Sequence, residues 1–260
     1  MAPANPRALW LGLLPCLCLL LVSPVARAAG EDIATRTVTL PAARHPVTAT
    51  RFVAAGDAPR PAVLLLHGRQ GLTPFADFYR RQALALARAG LDAYLFTYYD
   101  ETDPARANDP VAATRQALFR ERAPAWAALV RDVVGDVLAD ARSSGRVGLL
   151  GFSQGGFLAV GVAGADPRID ALVVCYGGVP DVFRDAVRRL PPLLELHGDA
   201  DDVVPPAQGK ALVDLARRLG QSAAMTVFPG AGHGFSGEDA RKAQALTVNF
   251  LGRRLGENAD

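Results

Sequence analysis

Cysteine is scarce. Of the three in this 260-residue chain, Cys16 and Cys18 lie within the first 28 residues, which leaves Cys175 alone in the remainder. One thiol cannot close an intrachain disulfide, so the fold must rest on its core even in an oxidising compartment. Lysine is nearly absent (Lys210 and Lys242) and arginine stands in its place, a usage that reads as genomic base composition rather than function. An excess of either charge is also missing. The chain has 28 Lys+Arg against 26 Asp+Glu, and loss of Arg7 and Arg27 with the first 28 residues leaves 26 of each. That balance excludes the basic footprint of a nucleic-acid-binding protein.

Long apolar runs are limited to Ala8 to Val22, which falls short of the roughly 20 residues that cross a bilayer comfortably. Arg7 precedes it and Ala26-Arg27-Ala28 follows with the small residues of a signal-peptidase site, so residues 1–28 are expected to be an export leader cleaved after Ala28. Neither Cys16 nor Cys18 is preceded by the small residue that a lipoprotein cleavage box requires. The expectation is therefore a periplasmic or secreted protein with no stable membrane anchoring, and residues 29–260 form one domain. No internal repeat or low-complexity segment stands out.

The remainder alternates strand and helix patterns. Thr37–Leu40 and Val47–Val53 read as antiparallel strands at a half-exposed sheet edge, ahead of a turn at Gly56–Pro59. Ala62–Gly68 has no polar alternation, the mark of a strand covered on both faces. Further strands are expected at Asp92–Thr97, Arg146–Leu150, Ala171–Tyr176, Leu193–His197 and Ala223–Phe228. Helices are expected at Pro74–Ala89, Ala125–Arg142, Gln154–Ala165, Val182–Leu190, Pro206–Leu219 and Glu238–Leu255. Such alternation implies an α/β fold, a mostly parallel sheet with helices on both faces. Tyr98 to Pro124 breaks the rhythm; it reads as a long polar connection, either a roof over a site or a solvated excursion.

Chemistry concentrates around Ser153. Apolar Val147–Leu150 runs into Gly151-Phe152-Ser153-Gln154-Gly155 and then into a helix, the strand-to-helix turn that lifts a serine hydroxyl above a sheet. Side chains at 151 and 155 would collide in so tight a turn, hence the two glycines. A serine needs a base, and Gly232-His233-Gly234-Phe235 after the final strand supplies His233. His67 and His197 each end an apolar strand immediately before glycine and read as side chains that tie down a neighbouring loop; His45 reads as a surface residue. The acid that orients the base is expected at Asp201, with Asp199 next and Asp181 a more distant position. Backbone N–H groups of Gln154 and Arg69 are the expected oxyanion donors. The Arg69 guanidinium is expected to be exposed without a partner, an anionic substrate being the other reading. Cys175 reads as a small buried core residue.

With these residues in view, the sequence resembles the α/β-hydrolase superfamily and, within it, the dienelactone hydrolase family. The likeness runs from about Thr37 to Leu255 and is carried by Leu-Leu-Leu-His-Gly-Arg-Gln-Gly-Leu at 64–72, Gly-Phe-Ser-Gln-Gly-Gly at 151–156, Asp-x-x-Val-Pro at 201–205 and Gly-His-Gly-Phe at 232–235. The resemblance implies a nucleophile, acid and base at Ser153, Asp201 and His233. It also brings a departure: the enzymes that gave the family its name use cysteine, with a glutamate in the oxyanion loop, where this chain has Ser153 and Gly68. That departure points to esterase-type members acting on carboxylic esters or lactones. The expectation is an exported serine hydrolase of a small-molecule ester or lactone, needing no cofactor or metal. An exported peptidase, a polyester or lipid hydrolase and a non-catalytic binding module on the same fold are the competing readings.

Overall fold

Leu64 and Leu66 of one strand pack into one apolar cluster, while Val63 and Leu65 between them pack into another. Successive side chains of a strand point to opposite faces, so an all-apolar strand means a sheet buried on both sides. The computed structural model describes residue 1 and residues 33–43, 45–53 and 58–256. Residues 31–260 form one unit and residues 1–30 another. The expected leader, Met1 apart, lies outside the described residues, as do Gly56 and Asp57 of the expected turn.

Eight strands are described: β1 (Ala34–Leu40), β2 (Val47–Val53), β3 (Arg60–Leu66), β4 (Asp92–Phe96), β5 (Ser143–Phe152), β6 (Ile169–Cys175), β7 (Leu193–Gly198) and β8 (Ala223–Phe228). They form one sheet in the order β1-β2-β4-β3-β5-β6-β7-β8. Strands β3 to β8 run parallel to one another; β2 pairs antiparallel with β4, and β1 with β2, as an antiparallel edge. The edge strand β1 is largely exposed, as expected, whereas β2 is mostly buried because β4 flanks it on the inner side.

Helices α1 (Ala76–Arg88) and α6 (Gly237–Gly256) cover one face; α3 (Ala112–Ala139), α4 (Gln154–Ala165) and α5 (Pro206–Arg218) cover the other. A Cβ on Gly148 in β5 would lie 3.1 Å from both Leu251 and Leu255, so a bare backbone there lets α6 lie close to the sheet. Gly90, at φ +82°, ends α1 where the sequence placed the stop.

Two expectations are corrected. Residues 98–124 are mostly helical: α2 (Asp103–Ala107) is followed by α3, which begins at Ala112 rather than Ala125 and carries Pro124 in its interior. Proline removes one helix hydrogen bond, but Leu118, Ala123, Trp126 and Ala127 bury one face of α3 on both sides of it. Fully buried Asp103 adds a clamp, accepting from Trp126 Nε1 at 2.8 Å and from Arg122 Nε at 3.0 Å. Conversely, Val182–Leu190 is not a helix and contains only a short 3-10 turn at Asp181–Phe183. Its apolar residues are used one at a time: Phe183 and Val187 fill the spaces above Gly161 and Gly164 of α4, and Pro191-Pro192 leads into β7.

Candidate active site

Ser153 sits between β5 and α4 with φ 52° and ψ −119°, a conformation that L-residues rarely adopt. Sterics hold it there. A Cβ on Gly151 would fall 2.4 Å from the Gly155 carbonyl oxygen, and one on Gly155 would fall 2.2 Å from the Leu66 carbonyl oxygen. The Ser153 N–H donates to the Cys175 carbonyl at 2.9 Å, tying the turn to the end of β6.

Loops after β7 and β8 bring the other two residues to the same end of the sheet, the carboxyl ends of parallel strands where open α/β folds place their sites. His233 Nε2 lies 2.8 Å from Ser153 Oγ, and His233 Nδ1 lies 2.8 Å from Asp201 Oδ2. A carboxylate only accepts, so Nδ1 carries the ring proton and Nε2 is free to take one from serine. Asp201 Oδ1 accepts from the Val203 and Val204 N–H groups, each at 2.9 Å. Burial works to raise the Asp201 pKa, but hydrogen bonds from Val204, His233 and Val203 outweigh it and hold the carboxyl below its usual range.

The alternative acids have other partners. Asp199 Oδ1 accepts from the Gly230 N–H at 2.6 Å and shapes the β8–α6 loop, while exposed Asp181 pairs with Arg184. His45 is exposed, and Cys175 is buried in the core, as expected. His67 ties down its loop: Nδ1 donates to the Gly68 carbonyl at 2.8 Å, and Nε2 accepts from Thr97 Oγ1 at 3.2 Å. Burial lowers its pKa to about 4, so the ring stays neutral.

Gln154 opens α4, where the first N–H groups have no intrahelical acceptor; Arg69 lies in the turn closed by the Gly71 N–H to Gly68 carbonyl bond of 3.0 Å. Both line one cleft with Ser153. The Arg69 guanidinium, expected to be unpartnered, instead donates to the Ala107 carbonyl at 2.8 Å and to Asn108 Oδ1 at 3.3 Å, because α2 packs beside it. Three tyrosines that sequence reasoning passed over hold this loop. Tyr79 OH accepts from the Gly68 N–H at 2.8 Å, Tyr98 OH donates to the His67 carbonyl at 2.7 Å, and Tyr99 OH donates to the Arg69 carbonyl at 2.8 Å. Gln154 Nε2 donates to Tyr99 OH at 2.6 Å, which joins both candidate oxyanion donors through one hydroxyl. The only signal was Tyr98-Tyr99 at the end of an apolar strand.

The cleft over Ser153 has a volume of about 480 Å³ and takes Arg115, Gln116, Phe119 and Arg120 from the first half of α3. The segment read as a roof or an excursion therefore forms one wall. Among the described residues, no group of three or more His, Cys, Asp or Glu side chains is arranged to hold a metal ion.

A family model described as the dienelactone hydrolase family matches residues 49–250. Among curated proteins, an esterase, LipC, of Mycobacterium tuberculosis is 41% identical over 63 residues, which is 22% of this chain and 16% of that protein. Acyl-protein thioesterase 1 of Gibberella zeae is 29% identical over 119 residues, 42% of this chain and 48% of that protein. The matches thus span less than half the length of either relative. A dienelactone hydrolase structure from Anabaena variabilis superposes with a TM-score of 0.70 at 20% identity, covering 86% of this chain and all of the other. At that identity the superposition speaks for the fold, an α/β-hydrolase fold.

Proposed function

Because the chain belongs to the dienelactone hydrolase family, whose model spans residues 49–250, we propose that it is an exported serine hydrolase of carboxylic esters or lactones. The observation that carries this reading is the unbroken hydrogen-bonded run Ser153–His233–Asp201, with both links at 2.8 Å. The names of the two curated relatives, an esterase and a thioesterase, support acyl transfer. In the proposed reaction Ser153 Oγ attacks the ester carbonyl as His233 Nε2 takes its proton. Asp201 stabilises the imidazolium, and the N–H groups of Gln154 and Arg69 meet the charge on the carbonyl oxygen. The imidazolium then protonates the departing alkoxide. Water attacks the acyl-serine while giving a proton to His233, which returns it to Ser153 as the acid leaves. Export rests on the composition of residues 1–28.

The cleft's charge bears on the substrate. Arg69, Arg115 and Arg120 line it against the single carboxylate of Asp181, which Arg184 already neutralises. The Arg69 and Arg115 guanidiniums donate to carbonyl and amide oxygens, which leave their charge in place, and the two lie close enough that Arg115 adds to burial in lowering the Arg69 pKa. Uncompensated positive charge beside the nucleophile favours an ester or lactone that bears an anionic group. The test is a panel of short p-nitrophenyl esters, lactones and peptide amides, with neutral and carboxylate-bearing members. Turnover of esters or lactones but not amides, highest for anionic members and lost in Ser153→Ala, is the expected result; activity retained in Ser153→Ala refutes the nucleophile.

A further inference from the structure

Next to Asp201, near the same Oδ2 that His233 engages, lies a second acid and imidazole. Glu195 and His197 both face the same side of β7 and both are fully buried. His197 Nδ1 lies 2.8 Å from Glu195 Oε1, while its Nε2 lies 2.9 Å from the Val204 carbonyl and 3.4 Å from Asp201 Oδ2. Carbonyl and carboxylate oxygens accept hydrogen bonds unless a carboxyl is itself protonated. The ring Nε2 therefore carries a proton directed at Val204 and Asp201, and a second proton lies between Nδ1 and Glu195.

We propose that Glu195 and His197 form a buried proton-sharing pair that positions the Asp201 carboxylate and sets the charge felt by it, extending the site to Ser153–His233–Asp201–His197–Glu195. The inference rests on the hydrolase reading only where it concerns rate. Glu195 and His197 are positioning residues, since neither lines the cleft over Ser153.

The surroundings favour keeping that second proton. The Gly177 N–H lies 3.4 Å from Glu195 Oε1, and Glu195 Oε2 is buried with no hydrogen-bond partner. From β6 the titratable group facing the pair is the buried Cys175 thiol; from the following loop it is Tyr176, whose burial raises its pKa and which also feels Asp201. The β7–α5 and β8–α6 loops contribute Asp201 and His233. Helix α5 contributes a glycine: a Cβ on Gly209 would lie 2.7 Å from His197 Nδ1 and 2.8 Å from Glu195 Oε1. The nearest α5 charges, Lys210 and Asp214, pair with each other on its exposed side. Helix α4 carries no ionisable side chain. Burial raises Glu195 to about 7, with His197 opposing; burial works to lower His197, but the hydrogen bonds to Glu195 and Val204 and the charges of Glu195 and Asp201 together raise it. Both shifts run the same way: the pair holds a proton that the separate groups would release at lower pH. When it leaves, a net negative charge appears beside Asp201 and strengthens the hold of His233 on the serine proton.

The chain has four histidines, so their imidazole nitrogens can be followed individually by NMR across pH, together with the low-field proton between His233 Nδ1 and Asp201. In the wild type the low-field resonance should move in step with the loss of the His197–Glu195 proton. The rate of fluorophosphonate labelling should rise about threefold over the same step. In Glu195→Gln both changes should vanish, because the amide keeps the contact but cannot titrate. Superimposable resonances and rate profiles in the two proteins overturn the proposal. If the variant does not fold, a wild-type resonance that ignores the His197 step overturns it equally. A protein that never labels while the resonances behave as expected refutes the hydrolase reading and leaves the coupling standing.

Discussion

Asp201→Asn should lower kcat about 10⁴-fold with little change in KM. The loss comes from the wrong histidine tautomer. Asp201 Oδ1 accepts from two backbone N–H groups, at Val203 and Val204, so an asparagine keeps its carbonyl oxygen there and turns its amide N–H₂ toward His233. Facing a donor, His233 Nδ1 becomes the acceptor, and the ring proton moves to Nε2, the nitrogen 2.8 Å from Ser153 Oγ. That nitrogen can no longer take the serine proton. The same N–H₂ would meet the donor on His197 Nε2, 3.4 Å away in the native chain, so the variant loses its support from His197 as well. Asp201 is 5% exposed and does not line the cleft, which is why substrate binding should be spared. Asp199→Asn is the control: its carboxylate accepts from the Gly230 N–H and not from His233, and kcat should stay within a few-fold of wild type. Comparable losses in both variants, or a loss under tenfold in the first, would remove Asp201 from the role given to it.

Gly155→Ala should be severely damaging. The added methyl would sit 2.2 Å from the Leu66 carbonyl oxygen and 2.5 Å from that of His67, both backbone atoms at the end of β3 that cannot rotate away. Relief requires α4 to withdraw from the sheet, and overpacking of that kind costs roughly 3 kcal/mol or more. Urea unfolding should show the loss, with no esterase activity in whatever fraction folds. Gly252→Ala, in α6 with open space around its Cα, should leave the midpoint unchanged or raise it slightly. A native-like midpoint for Gly155→Ala would mean that the turn is not held by the contact described.

These two substitutions also show why some of the site was legible in the sequence and some was not. The turn at Ser153 could be read because its constraint is local: glycines two residues either side of a serine, between an apolar strand and a helix, mark a backbone too crowded for side chains, and the structure puts a carbonyl where each Cβ would go. His233 followed from chain order. The sequence ranks Asp201 ahead of Asp199 on the loop they share, and the fold agrees: Asp201 meets His233 at 2.8 Å while Asp199 turns to the Gly230 N–H. Tyr79, Tyr98, Tyr99 and Glu195 were missed. Tyr98, Tyr99 and Glu195 sit in or beside apolar stretches, where a tyrosine counts as core and one carboxylate as noise, and Tyr79 is one aromatic on a helix; each acquires meaning only from a partner on another element or residue.

The secondary-structure differences have a similar origin. Pro124 and the charged run before it argued for a break, yet Leu118, Trp126, Val130, Val133 and Val137 mark a helical stripe that continues through it. At Val182–Leu190 the apolar spacing suited a helix, but Pro180 and Pro191-Pro192 bound a segment whose apolar residues fill separate gaps in α4. Packing against a partner outweighs local propensity in both cases.

The proposed hydrolysis requires Ser153 to be a nucleophile primed by His233, and covalent capture reads that most directly. Incubated with an alkyl fluorophosphonate at neutral pH, the wild-type chain should gain a single adduct, mapped by peptide mass spectrometry to the segment containing Ser153. Ser153→Ala should gain none, and His233→Ala should react at least about a hundredfold more slowly. No adduct on the folded wild type, or an adduct that survives in Ser153→Ala, would contradict a nucleophilic serine at this site.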